Sequence, residues 1–246
     1  MCVNVIVDLI LNSQNKEKIQ VWRTLKMLWT FGCSHTAGHG LPDCINHEDH
    51  NNPLAGVKSQ FGWPAELAKL MGEPLTNCGF GGVGPTVAWY QCMKADIQPN
   101  DTVVIMWPCW ESRVDILIDP EVFTHSDSHT ISIRSWDVDN HLPSKVYFEE
   151  MYSAYNLWYQ WHLYMTQVHY HFNELRKNDN IKLIQTLFNP YEPDIEPPNF
   201  SLFELTKVYF GDFKYMNMPK AADGNHNGVE ANKLFAKDLY AEMNNL

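Results

Sequence analysis

The stretch KMLWTFGCSHTAGHG, Lys26 to Gly40, changes character at its middle. Its first six residues, Lys26 to Phe31, form a short apolar run of the kind buried on both faces of a parallel sheet. Gly32 ends that run, and the residues after it bring Cys33, Ser34, His35 and His39 to the end of the predicted strand. Taken alone, a serine after a glycine is a turn residue. To be a nucleophile or part of a metal site, Ser34 needs partners from elsewhere in the chain.

The same strand-then-loop pattern recurs downstream. LTNC, Leu75 to Cys78, runs into the glycines of GFGGVG. TVVIMW, Thr102 to Trp107, has the highest β-branched content and runs into PCWESR. IKLIQTLF, Ile181 to Phe188, is broken by Asn189-Pro190. A weaker alternation predicts a fifth strand over Phe213 to Met218. Helical signals lie between the strands. Trp63 to Met71 has Pro64 in its first turn and Gly72 at its end. Tyr147 to Lys177 carries Met151, Tyr155, Trp158, Tyr159, His162, Met165, Val168, Phe172 and Leu175 at helical spacing. A last helix through Val229 to Met243 shows Ala231, Leu234, Phe235, Leu239 and Met243 on one face. Strands alternating with helices predict α/β layers around a parallel sheet, whose ligands collect at the carboxyl ends of the strands. Ser34, the Gly79 to Gly84 loop and the Pro108 to Arg113 loop are therefore expected at one edge of the sheet.

Composition narrows the classes. At 246 residues the chain suits one domain, 1–246, with surface insertions expected at 114–144 and at 191–199, where Pro193, Pro197 and Pro198 fall. A net charge of -11, with 18 Lys and Arg that form no long run, removes the usual basis for nucleic-acid binding. No stretch approaches the roughly 18 apolar residues that span a bilayer. The first residues lack a basic leader and a cleavage site, so a soluble, cytoplasmic protein is expected. Six cysteines, none in a C-x-x-C pair, suit reduced thiols, with a disulfide between two of Cys33, Cys78 and Cys109 left open.

The partners for Ser34 lie far downstream in AADGNHNGVEAN, where Asp223 precedes His226 by three residues, just ahead of the last helix. One turn of spacing lets a carboxylate hold an imidazole in one tautomer while its other nitrogen faces a hydroxyl.

With these residues assembled, the chain resembles the SGNH, or GDSL-type, hydrolase family in four short blocks between Phe31 and Gly228. The first is Phe31-Gly32-Cys33-Ser34, with Cys33 where the family usually has aspartate. The second is Asn77-Cys78-Gly79-Phe80-Gly81-Gly82. The last is Asp223-Gly224-Asn225-His226. The resemblance implies a three-layer α/β/α sandwich with a flavodoxin-like parallel sheet of about five strands. It also implies a cofactor-free serine esterase: Ser34 the nucleophile, His226 the base, Asp223 its orienting acid, and the amides of Ser34 and Gly82, with Gly81 the near alternative, an oxyanion hole.

The third block departs from the family. Pro108-Cys109-Trp110-Glu111 stands where the family usually carries G-x-N-D, so the oxyanion asparagine is missing and Ser112 and Arg113 are the local candidate donors. One such donor is commonly worth about 10²- to 10³-fold in rate. The expected reaction is hydrolysis of an acyl ester, with acetyl or another short acyl on a carbohydrate as the expected substrate. Its motive is the acidic insertions and the aromatics Trp110, Phe123, Trp136, Tyr147 and Tyr191.

Two rivals stand beside this reading. One is a non-hydrolytic carbohydrate- or ligand-binding protein that keeps the fold. The other is a zinc-binding module drawn from Cys33, His35, His39, Cys44, His47 and His50, whose spacings fit no compact structural zinc pattern. The glycine run lacks the Lys-Ser/Thr ending of a P-loop, which disfavours phosphate binding.

Overall fold

The computed structural model describes residues 25–44, 57–108, 113–117, 130–134, 154–187, 208–210 and 218–245. Five strands form one sheet: β1 (Leu28–Gly32), β2 (Leu75–Asn77), β3 (Thr102–Trp107), β6 (Lys182–Leu187) and β7 (Val208–Phe210). Their order is β2-β1-β3-β6-β7 and every pairing is parallel. In order of appearance within the sheet this is 2-1-3-4-5, the flavodoxin-like arrangement, with its topological switch at β1. β4 (Arg113–Leu117) and β5 (Thr130–Arg134) make a separate antiparallel pair. Most of this pair falls within 114–144, the stretch expected as a surface insertion.

β3 explains the layers. All six of its residues are buried, and they alternate between two cores as a strand's period of two requires. Val103, Ile105 and Trp107 meet Ala88 and Cys92 of α3 (Pro85–Lys94) and Trp161, Met165 and Val168 of α4 (Ala154–Tyr170). Val104 and Met106 meet Trp63 and Leu67 of α2 (Trp63–Met71) and Phe235 and Leu239 of α5 (Val229–Asn245). Helices therefore cover both faces, which makes the three layers.

Three expectations need correction. The fifth strand is Val208–Phe210, upstream of Phe213 to Met218, of which 213–217 lie outside the described residues. The long helix is regular to Tyr170 and then becomes a π-turn over His171–Leu175. That wider turn shifts the periodic register, so Phe172 stays in the core while Leu175 is exposed. Tyr159, expected on the inward face, is exposed, whereas Trp161 is buried. Finally, Pro85–Lys94 is a helix the sequence pattern did not reveal.

At the amino ends of the strands, buried Asp101 ties β1 to β3. Its carboxylate accepts the Met27 N–H at 3.0 Å, the Trp29 indole N–H at 2.9 Å and the Gln98 N–H at 2.8 Å. Replacing it with alanine leaves three donors without this acceptor. Asp101→Ala is expected to cost about 2–4 kcal/mol in chemical denaturation, the range for orphaned buried partners of a charged group.

Candidate active site

β1 ends at Gly32, and the chain turns at once into a single helical turn, α1 (Ser34–Ala37). The Cys33 carbonyl accepts the N–H groups of Thr36 and Ala37, and the Ser34 carbonyl accepts those of Gly38 and His39. Ser34 is thereby held, nearly buried, just beyond the carboxyl end of the strand beside the switch point.

The second block packs directly on this turn. Cys78 N–H donates to the Thr30 carbonyl at 2.8 Å and Phe80 N–H to the Gly32 carbonyl at 3.0 Å, extending the parallel ladder past β2. The Asn77 side chain closes the joint: its amide donates to the Thr36 carbonyl at 2.9 Å, and its oxygen accepts the Gly79 N–H at 2.8 Å. Gly79 is required by proximity, since a Cβ there would lie 2.6 Å from the Ala37 nitrogen. Lys58 donates its ammonium to the Gly79 carbonyl and lies 5.3 Å from the centre of the Phe80 ring. Gly82, at φ +80°, has open space where a side chain would stand. No pattern in the sequence singles out Lys58.

Asp223 and His226 form a tight pair. The imidazole Nδ1 lies 2.5 Å from one Asp223 oxygen, and the other accepts the backbone N–H groups of Asn225 and His226 at 3.0 Å each. Partial burial pushes the Asp223 carboxyl up, but those two N–H groups and the imidazole outweigh it and hold the group below its ordinary range. The carboxylate is therefore ionised at neutral pH, and Nδ1 must be the donor, which leaves Nε2 as the nitrogen available to a hydroxyl.

The pair is stitched to the serine turn. Ala222 N–H donates to the Gly40 carbonyl at 3.1 Å. Gly40, at φ +74°, meets the Asp223 carboxylate so closely that a Cβ would lie 2.6 Å from its oxygen. The His226 ring packs against His35, centroids 4.8 Å apart, and edge-on to His39 at 5.8 Å. The structure thus brings Asp223, His226 and the Ser34 turn together, with the Gly79–Gly82 loop on that turn. Of the third block, Cys109, Trp110, Glu111 and Ser112 lie outside the described residues, and Arg113 is described only as the start of β4, its backbone opposite Arg134.

The zinc reading gains nothing from this geometry. Among the described residues no group of three His, Cys, Asp or Glu is placed to hold a metal ion. His35 and His39 pack on His226, while His47 and His50 lie outside the described residues. Cys44 donates its thiol to the Ala37 carbonyl, and burial pushes its pKa up to about 11. Cys33, Cys44, Cys78 and Cys92 are free thiols, which removes a Cys33–Cys78 disulfide. Cys33 instead packs with Phe80, Val83 and Val87.

No protein-family model matches the chain, and no curated protein matches it. Solved structures of similar fold include a Desulfitobacterium hafniense protein of the G-D-S-L family, 13% identical, at a TM-score of 0.40, with 88% of this chain and 98% of that one aligned. A family 2 carbohydrate esterase of Corynascus thermopiles is 12% identical at a TM-score of 0.47, over 89% of this chain and 65% of that one. The acetyl xylan esterase Est2A of Butyrivibrio proteoclasticus is 12% identical at 0.44, over 89% and 64%. The chain thus spans about two thirds of the length of these two esterases. No helix among the described residues is long and apolar enough to cross a membrane.

The depressed Asp223 carboxyl sets a pH signature. Its ionised form contributes stability that is fully present above the unfolded carboxyl pKa of about 3.9 and is lost as pH falls through the lower native value. Wild type is expected to exceed Asp223→Asn in denaturation midpoint at neutral pH. Midpoints measured across a pH series should begin to converge as pH falls below about 4 and meet only below the lowered native value, where the Asp223 side chain is neutral as well.

Proposed function

We propose that the protein is a serine esterase acting through an acyl-serine intermediate at Ser34. The observation that carries this reading is the hydrogen bond from His226 to Asp223, on a segment tied to the chain after the Ser34 turn by the Ala222–Gly40 bond. An aspartate aligned on a histidine beside a serine at a strand end is the arrangement general-base activation needs.

The steps follow from the donors and acceptors present. His226 Nε2 takes the proton from Ser34 Oγ as the oxygen attacks the ester carbonyl carbon. Asp223 stabilises the imidazolium that forms, and the amides of Ser34 and Gly82 receive the developing oxyanion. The C–O bond to the alcohol then breaks, and the leaving oxygen takes the proton from His226. Water, deprotonated by the same imidazole, releases the acid from Ser34 and restores the hydroxyl. Gly81, Ser112 and Arg113 are further candidate donors where the family's third-block asparagine is absent. A short acyl ester on a carbohydrate is the proposed substrate, on the strength of the acidic, aromatic-bearing segments 114–144 and 191–199.

A fluorophosphonate probe tests the chemistry without knowledge of the substrate. Peptide mass spectrometry is expected to find the adduct on Ser34, to find none in Ser34→Ala, and to show at least about a 10²-fold slower rate in His226→Ala. A folded wild-type protein that takes up no probe would instead favour the non-hydrolytic binding reading. A panel of acetylated oligosaccharides beside longer-chain esters then tests the substrate, and turnover of the long-chain esters alone would reject the carbohydrate reading.

A further inference from the structure

Asn232 is out of place by the rules that govern the rest of its helix. It sits one turn into α5, 4% exposed, beside the buried Ala231, Phe235, Ala236 and Leu239. Asparagine is a poor interior helix residue, and an apolar side chain would serve this core face better unless the amide is needed.

All three of its side-chain hydrogen bonds are directed at connections around the candidate site. The amide nitrogen donates to the Asn227 carbonyl at 2.9 Å and the Gly228 carbonyl at 3.0 Å, those of the two residues that directly follow His226. The oxygen accepts the N–H of Trp63 at 3.0 Å. Trp63 opens α2, whose N-cap residue, Gly62, has no side chain to satisfy that helix end, so Asn232 caps α2 from another element. The start of α2 in turn lies against the serine turn: Ser59 N–H donates to the Ala37 carbonyl at 3.0 Å, and a Cβ at Gly62 would lie 3.7 Å from the Gly38 Cα.

We infer that Asn232 is a positioning residue for His226, fixing the imidazole relative to Ser34 by joining the peptides that follow the histidine to the helix that abuts the serine turn. The inference rests on the reading of Ser34, Asp223 and His226 as an acyl-transfer site. It adds a second tether to the Ala222–Gly40 bond, one that reaches the serine turn by a separate route. Asn232 touches no reacting atom; it acts through the position of His226.

The test uses the full chain with two variants. Asn232→Leu removes all three bonds while keeping the core apolar, and Asn232→Asp keeps an acceptor for Trp63 but presents oxygens to two carbonyls. Two readouts are taken: the rate of fluorophosphonate labelling at Ser34, and the downfield proton resonance of His226 Nδ1–H, assigned by its absence in His226→Gln. Asp101→Ala, at the opposite end of the strands, controls for lost stability. Labelling by both Asn232 variants is expected to slow about 10- to 100-fold at temperatures where they remain folded, with the Nδ1–H resonance shifted or lost. Asp101→Ala is expected to keep both signals. Folded Asn232→Leu that labels at the wild-type rate with an unmoved resonance would overturn the inference, and so would an Asp101→Ala that loses both signals equally. If Asn232→Leu does not fold, Asn232→Asp decides on the same criteria. Failure of wild type to label would count against the esterase reading alone, and the resonance comparison would still decide the role of Asn232.

Discussion

Burial of β3 on both faces is the constraint from which the rest follows. A strand whose six residues are all shielded from water needs a layer of helices on each side. Helices on both sides of a sheet are reached by crossover connections, and these make neighbouring strands parallel. Parallel strands point their carboxyl ends to one edge, so the segments leaving β1 and β2 meet there. Ser34 and the glycine loop are neighbours because of where the hydrophobic residues of β3 face. At the opposite edge, Asp101 holds the strand beginnings together with a buried carboxylate that has three donors, so the sheet is fixed at one end and free to vary in chemistry at the other.

How much of this was legible depended on how strongly each segment's burial is written in residue type. β1 and β3 are largely apolar on both faces and read plainly, and β6 reads with them although it buries Gln185 and Thr186. Proline in the first turn and glycine at the end mark α2, and the face of α5 shows through Ala231, Phe235, Leu239 and Met243. α3 was hidden because its inward residues include Pro85, Val87, Ala88 and Cys92, small or non-helical in preference, so hydrophobic periodicity is faint. β7 is a three-residue edge strand, too short for alternation to show. Within the site, Ser34, Asp223 and His226 could be picked out by residue type and order. Asn77 was marked by its block but not by its bonds to the serine turn, and Lys58 and Asn232 could not be picked out at all, because their part is to hold backbone atoms of distant segments, and such bonds leave no spacing pattern in one sequence.

The first block shows how a changed residue can be absorbed. Cys33 stands where the resembled family has an acid, and it lies in an apolar patch with Phe80, Val83 and Val87. A carboxylate there would have to be desolvated without a partner in that patch, so the thiol and its apolar surroundings form a consistent set. The joint between the serine turn and the glycine loop is instead polar at Asn77 and cationic at Lys58, both bonded to main-chain carbonyls. The two loops are thus fastened through backbone groups as well as by side-chain packing.

The loop carrying Asp223 and His226 is closed on itself by main-chain pairing. Gly228 N–H reaches the Pro219 carbonyl, Ala221 N–H reaches the His226 carbonyl, and Lys220 bridges to Asn227. Apart from Asp223, side chains at the tip take no part in holding the histidine. Asn225, exposed beside Asp223 and contributing only its backbone N–H to the carboxylate, can therefore be exchanged over evolutionary time for a residue that contacts a different ligand. A loop built this way separates the part that must not drift from the part that can diversify.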